Sequence, residues 1–543
     1  VDRVPSTAVA PLVRPQSIGG NDLVRKYLQE VPAALRFFAG SPFRLQTFRD
    51  KLAEVDSRFG PEHRAAAVRA LRPASDGARA RLDRFVREGG VAVTTGQQSG
   101  FLTGPLYTVY KALSAAVLAR HLEERLGRVV LPIFWIASED HDWPEVNHAY
   151  LLNPAGRLRR FELSSRDPRP IPMSERVLEG DLTDLLEEIH QFVGPRPETE
   201  QAARGIIDPF TVTGAPVAAA FGDAMRSILA AFDMVTVDAA DPVLKELSRP
   251  MLRRALEEAG EHERAVKERS NELTAAGFPV QVQIVEGATN VFRNSGRGRE
   301  RLYRAGSEYA VREQKGVIAA DDLVRELESD PAVFSPNVLL RPVIESSVFP
   351  TLAYVGGPGE LAYFAQAGGL FEAAGIDPPI AVPRFSGLVL EPAIERTLEN
   401  LHLTLSDLDE PRESLMERMA RREFPEEAIR TLSTLRADLV ASFDRLAEQV
   451  EDVDPTLIGS LGAVRNHLLI GSERADRKII RAIKRRDALT FERLDRVLDT
   501  LRPMGERQDR VLNVLPFLAR YGTRFLTEVE AAIEAHWRLP DDV

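Results

Sequence analysis

No cysteine occurs in the 543-residue chain, which excludes disulfides, thiolate-bound metals and a cysteine nucleophile. Long apolar runs are missing too. The longest, "VVLPIFWIA" (129–137), has the length of a strand, well short of the roughly 18 residues a membrane helix needs. The opening "VDRVPSTAVAPLVRP" has no charged region followed by a long apolar one, so it does not read as a signal peptide, and a cytoplasmic location is the expectation. Basic charge is in deficit, with 70 Lys and Arg against 81 Asp and Glu and a net charge of -11. That argues against nucleic acid or an anionic membrane as a partner, because holding phosphates needs a basic surface. A local basic patch remains open, and one candidate run, "RKIIRAIKRR" (477–486), reads as the solvated face of a helix. The nucleophile and metalloprotease signatures G-x-S-x-G and H-E-x-x-H are absent as well.

What is present alternates between strand-sized and helix-sized segments. Residues 1–90 read as a helical segment ending at a glycine stop. "VAVTT" (91–95), a glycine-rich loop, the helix-former run Leu106–Leu126 and "RVVLPIFWIA" (128–137) then give strand, loop, helix and strand, the unit that builds a parallel sheet. Further strands are expected at "MVTVDA" (234–239), "PVQVQIV" (279–285), "TLAYVG" (351–356) and "PIAVPRF" (379–385). The fold class is therefore α/β, with a doubly wound core over 91–385 interrupted by insertions at about 151–230 and 287–335. Beyond it, Ile429, Leu432, Leu435, Leu439, Phe443, Leu446, Val450 and Val453 recur at spacings of three and four, and the pattern resumes after Pro455. That spacing predicts a helical coiled-coil hairpin over 386–502, pairing within the chain or across a two-fold axis, with further helices over 503–543.

In an open parallel sheet, ligands bind where strands end, and three segments have unusual composition at such places. The first is "TGQQSGFLTGPLYTVYKA". Gly96, Gly100, Gly104 and Pro105 let backbone approach a ligand, Gln97, Gln98, Thr103 and Thr108 offer hydrogen bonds, and Lys111 adds a cation. The spacing matches neither the dinucleotide nor the P-loop pattern. The second is "IASEDHDWPEVNH", where Glu139, Asp140, His141 and Asp142 stand in a row and His148 follows. Such a cluster suits acid–base work or an ammonium ligand, and its imidazoles and carboxylates are also candidate metal ligands. The third is "NVLLRPVIESSVFPTLAYVGGPGELAYF". Asn337 and Arg341 suit a carboxylate or phosphate clamp, while Tyr354, Gly356, Gly357, Pro358, Gly359 and Glu360 form a strand end, a turn and a helix start.

Together with "ERQDRVLNVLPFLARYG", these segments resemble the cysteine-adding enzymes of bacillithiol biosynthesis, from about residue 20 to the C-terminus. The resemblance implies a Rossmann-like core related to class I aminoacyl-tRNA synthetases, with connecting insertions and a coiled-coil domain associated with homodimers. It implies a ligase that joins L-cysteine to the amino group of glucosaminyl malate. The alternative is a synthetase-like transferase acting on another amine. It further implies activation by ATP, bound as ATP or ADP with magnesium. In that picture Gly96 to Thr108 hold substrate or nucleotide, and Asp140, His141 and Asp142 orient the amine and take its proton. Asn337 and Arg341 hold malate or phosphate, and Gly356 to Glu360 close the pocket. "VPRFSG" stands in for the synthetases' basic signature through Arg384 and Ser386, without the lysine pair.

Overall fold

In the computed structural model, residues 12–312 and 316–536 are described; the first eleven residues and the last seven, parts of the opening and closing segments read above, lie outside them. Six strands form the central sheet: β1 (Leu71–Pro73), β2 (Val91–Gln98), β3 (Val130–Ala137), β4 (Val235–Asp238), β5 (Thr351–Gly356) and β6 (Ile380–Pro383), in the order β6-β5-β2-β3-β4-β1. All neighbours are parallel except the β4–β1 pair. β2 and β3 run in register from Val91↔Val130 to Gln98↔Ala137. Their near-continuous apolar character follows from burial on both faces, the condition of a parallel sheet. The helix between them, α1 (Leu106–Leu126), is buried along most of its length and ends at Gly127 in the left-handed conformation. From β2 the chain builds outward through β3 and β4, then returns to place β5 on the other side of β2. The strand order therefore reverses between β2 and β5, and a reversal opens a crevice at the strands' carboxyl ends.

The remaining core helices are α2 (Val217–Leu229), α3 (Pro242–Glu257), α4 (Ala259–Ala275), α5 (Arg341–Val348) and α6 (Pro358–Ala374). A small antiparallel sheet follows α4. Its strands are ordered Ile318–Ala319, Glu308–Val311, Gly298–Ala305, Ala288–Ser295 and Phe334–Pro336.

The α/β fold class is as expected, but several segments differ from the sequence reading. "PVQVQIV" (279–285) forms no strand. The Gln366 side chain takes both polar groups of Val282, accepting from its N–H (3.0 Å) and donating to its carbonyl (2.8 Å), so the segment's hydrogen bonds go to a helix rather than a ladder. The N-terminal segment is not purely helical. It supplies edge strand β1 and also Leu12–Pro15, which pairs with Gly387–Leu390. Within the expected insertion at 151–230, α2 belongs to the core, with Phe221, Ala224 and Met225 packed in the same apolar cluster as Phe134.

The chain divides into two compact units. One contains the residues through Leu390 together with those from Gln508 onward; the other is Glu391–Arg507. In the second unit, α7 (Glu426–Val450) and α8 (Leu457–Arg486) pack together as a helical hairpin, tied by Arg465 to Asp444 (2.6 Å) and Arg436 to Ser472 (2.9 Å). No residue of α7 is buried. Leu435, Leu446, Val464 and Leu468 are exposed apolar side chains.

Candidate functional site

A pocket of about 640 Å³ lies at the reversal point, lined by the ends of β2, β3 and β5, the start of α6 and the small antiparallel sheet. Thirteen of the residues singled out from sequence line it: Gly96, Gln97, Gln98, Glu139, Asp140, Asn337, Arg341, Tyr354, Gly357, Pro358, Gly359, Glu360 and Arg384.

One side is organised by a buried lysine. Lys111 projects from α1 back toward β2, where its ammonium donates to the Gly96 carbonyl and to Gln97 Oε1 (3.2 Å) and pairs with Glu360 at 2.8 Å. Glu360 in turn accepts from the Gly357 N–H (2.7 Å) and from Tyr354 Oη (2.6 Å). Burial alone would raise this carboxyl, but Lys111 and those two donors outweigh it and hold it below the ordinary carboxylate range. Lys111 thus structures the pocket rather than reaching a ligand freely. Gly96 also has a packing role, since a Cβ there would stand 2.8 Å from the Trp135 carbonyl oxygen.

The pocket is also rich in guanidinium. Arg341 is held by Glu345 (2.6 Å) and lies over the rings of Trp135 and Tyr354, at 5.6 and 5.0 Å. Its Nη2 is buried without a hydrogen-bond partner. Asn337 is not a clamp: its amide donates to Asn290, and its oxygen accepts from Leu339 and Leu340 N–H, which pins the start of α5. Arg299, Arg301 and Arg510 also line the pocket and went unnoticed in the sequence. Arg299 is fixed by Ser335 Oγ (2.8 Å) and the Pro336 carbonyl (2.6 Å), and burial pushes it down to about 10. Arg301 shares the Phe292 ring with it, at 5.0 Å against 4.1 Å for Arg299. The signal was present as "GRGRERLYR", but only the hairpin's return toward the sheet gives it meaning.

The acidic loop after β3 divides between two chambers. Glu139 and Asp140 face the main pocket; Asp140, His141 and Asp142 line a neighbouring one with Trp143 and Arg176. Gln98 stands on the partition, donating to Asp140 Oδ2 (2.6 Å) and Glu145 Oε2 (2.8 Å). His141 does not enter the main pocket. Arg299 Nη1 lies 3.3 Å from its Nδ1, so that nitrogen accepts, and burial followed by the Arg299 charge lowers its proton affinity. Asp142 is exposed.

Other expected residues stand elsewhere for identifiable reasons. Thr103 and Thr108 are fully buried. Gly100 and Gly104 meet each other, since a Cβ on Gly100 would lie 2.8 Å from Gly104 Cα. Thr103 and Gly104 have φ of 79° and 71° in a turn whose carbonyls, Leu102 and Gly104, both accept from the Asn513 amide. Pro105 bridges to Asn513, the Leu106 N–H donates to Leu512 O (2.7 Å) and the Thr108 N–H to Pro105 O (2.9 Å). The start of α1 is therefore covered by the chain itself and does not fit a nucleotide phosphate. The start of α6 is likewise taken by Glu360. Gly356 packs on Glu360 Cβ. His148 sits in the hairpin strand His148–Leu152 with its ring edge-on to Tyr150, 5.5 Å away. Among the described residues no group of three His, Asp or Glu side chains is arranged to hold a metal. Arg384 and Ser386 are buried, and both bond Asp509 Oδ2 at 2.8 Å, joining β6 to the final segment.

A sheet of Rossmann order with a pocket at its reversal, lined by guanidinium and carboxylate groups together, defines an α/β protein with a crevice suited to a small charged molecule. The chain belongs to the BshC family of bacillithiol biosynthesis. Residues 11–385 match that family's N-terminal Rossmann-like domain, and residues 387–536 its C-terminal coiled-coil domain. Among its relatives are proteins of Solibacter usitatus (32% identical, covering 90% of this chain and 91% of the relative) and Koribacter versatilis (31%, covering 95% and 98%). A Bacillus cereus relative is 29% identical over 80% of this chain and 81% of its own. Each is designated, provisionally, a cysteine ligase BshC. No described helix is long and apolar enough to cross a membrane.

Proposed function

We propose that the protein is a ligase of bacillithiol biosynthesis that joins the carboxyl of L-cysteine to the amine of glucosaminyl malate in the pocket at the β2–β5 reversal. The observation that carries this reading is the presence of both charges in one cavity: Arg299, Arg301, Arg341 and Arg510 line it together with Glu139, Asp140 and Glu360. A malyl group brings two carboxylates, and guanidinium binds carboxylate bidentately. The acceptor's amine arrives as an ammonium, which cannot attack until a proton leaves it. Glu139 and Asp140 are the carboxylates placed for that step, since His141 is engaged by Arg299 outside the main pocket.

A free carboxyl needs activation before it forms an amide. ATP with magnesium is our proposed source, its phosphates falling to the pocket's arginines because the starts of α1 and α6 are already satisfied. The test is to incubate the pure protein with cysteine and glucosaminyl malate, with and without ATP and magnesium, and to weigh the product. The condensation product in the ATP arm supports the whole reading. Product without ATP removes the nucleotide. Cysteine consumed only with another amine replaces the acceptor.

We further propose a homodimer formed through the hairpin. The support is local: α7 has no buried residue, and Leu435, Leu446, Val464 and Leu468 remain open along the α7–α8 pair.

A further inference from the structure

Lys245 lies in the first turn and a half of α3, is 4% exposed, and was not singled out from the sequence. Its ammonium pairs with Glu139 and donates to the Phe334 carbonyl at 2.5 Å. It thereby joins three elements around the pocket: the loop after β3, helix α3 and the last strand of the small sheet. Among the described residues, no group other than Lys245 hydrogen-bonds the Glu139 carboxylate. The backbone on either side is pinned. Ser138 Oγ donates to Asp238, and the Ala240 N–H reaches both Ser138 Oγ (3.1 Å) and Asp238 Oδ1 (2.8 Å). Glu139 is thus a pocket-lining carboxylate with 12% of its side chain exposed, fixed from behind by a buried cation.

The three other carboxylates at the pocket are committed differently. Glu360 is spent on Lys111, Tyr354 and Gly357, whereas Asp140 and Glu145 share Gln98. We propose that Lys245 is a positioning residue that acts through Glu139, fixing its carboxylate as the seat for the ammonium group of the amine-bearing substrate. This deepens the ligase reading and rests on it. A carboxylate in so enclosed a place protonates readily unless a cation stands beside it. Lys245 supplies that cation without blocking the pocket side. Burial, with Arg299 adding to it and Asp330 opposing, lowers the proton affinity of Lys245, and the Glu139 carboxylate beside it holds the ammonium charged. The other charged groups nearby are Arg301 and Asp140 at the pocket and the Arg341–Glu345 pair on α5, which packs against α3.

The test is binding rather than turnover, by calorimetry on the full chain without ATP. It compares glucosaminyl malate with glucosyl malate, in which a hydroxyl replaces the ammonium. Wild type binds the amine tighter by about ten- to a hundred-fold, the worth of one charge-assisted hydrogen bond. Lys245→Met brings the two ligands to within about two-fold. Lys245→Arg keeps the preference. If Lys245→Met fails to fold, Glu139→Gln makes the same comparison and must lose the preference. A wild type that prefers the amine, with a Lys245→Met or Glu139→Gln variant that prefers it equally, overturns this inference alone. A wild type that binds neither compound removes the acceptor reading and this inference with it.

Discussion

Two buried groups outside the proposed chemistry make the cost of unmatched polarity measurable. His262, on α4, is 1% exposed, and neither ring nitrogen has a hydrogen-bond partner. Burial lowers its proton affinity below the ordinary value of 6.5, although Glu258 and Glu261 pull the other way. The unfolded chain therefore binds that proton more readily. The group's contribution to stability is whole above about pH 6.5 and is lost as pH falls through the lower folded value. Urea midpoints at pH 7.5 and 5 are expected to separate less in His262→Leu than in wild type. Equal separation would show that the acid loss lies elsewhere. At the pocket, Lys111→Met strands Glu360 with two neutral donors. Removing one partner of a buried pair costs about 3 kcal/mol, at the low end because 22% of the Glu360 side chain keeps contact with solvent. Denaturant unfolding reads that loss, and loss of amide formation should accompany it.

At the scale of elements, the run from Val91 to Ala137 was readable because burial on both faces leaves an apolar pattern that survives in one dimension. "PVQVQIV" carries the same pattern and failed, because Gln366 on a distant helix satisfies its backbone. Strand propensity alone cannot register such a competitor. The glycine-rich loop was located correctly and read wrongly in part. Gln97 and Gln98 reach the pocket, whereas Gly100 to Pro105 serve a turn whose partner, Asn513, lies some four hundred residues away. Asn513→Ala leaves the Leu102 and Gly104 carbonyls without the amide and the Leu515 N–H without its acceptor. At about 1–3 kcal/mol for each buried group left unmade, the variant is expected to unfold at clearly lower urea, with little change in the hairpin's helical circular dichroism. The late stretch "RQDRVLNVL" was recognised only as part of a resemblance. Its physical content is now plain: Gln508 holds Val389 on both polar groups, Asp509 holds Arg384 and Ser386, Arg510 faces the pocket and Asn513 holds the loop.

Over the whole molecule, composition and periodicity sufficed for a doubly wound α/β core and a helical hairpin, because both depend on repeating apolar patterns, while the Rossmann-like character came from the resemblance. The lining of the candidate pocket was legible where the sheet itself builds it, at Gly96–Gln98, Glu139–Asp140, Tyr354 and Gly357–Glu360. It was not legible where inserted or late segments fold back onto the sheet, as with Arg299, Arg301 and Arg510. The hairpin carries its own expectation. Sedimentation of wild type should give twice the chain mass, and Leu446→Glu combined with Leu468→Glu should give the single chain mass with the pocket's ligand binding intact. A wild type that sediments as one chain would end the dimer proposal.

The segment from Gln508 to Asn513 supplies the last wall of the pocket and the clasp on its glycine turn, and it is translated after every strand of the sheet and after the hairpin. A nascent chain halted before this point already holds all six strands yet lacks the Asp509 partner of Arg384 and the Asn513 amide at the Gly104 turn. The clasp on the glycine turn thus arrives only at the end of synthesis, and a prematurely terminated product would carry that turn without the Asn513 amide.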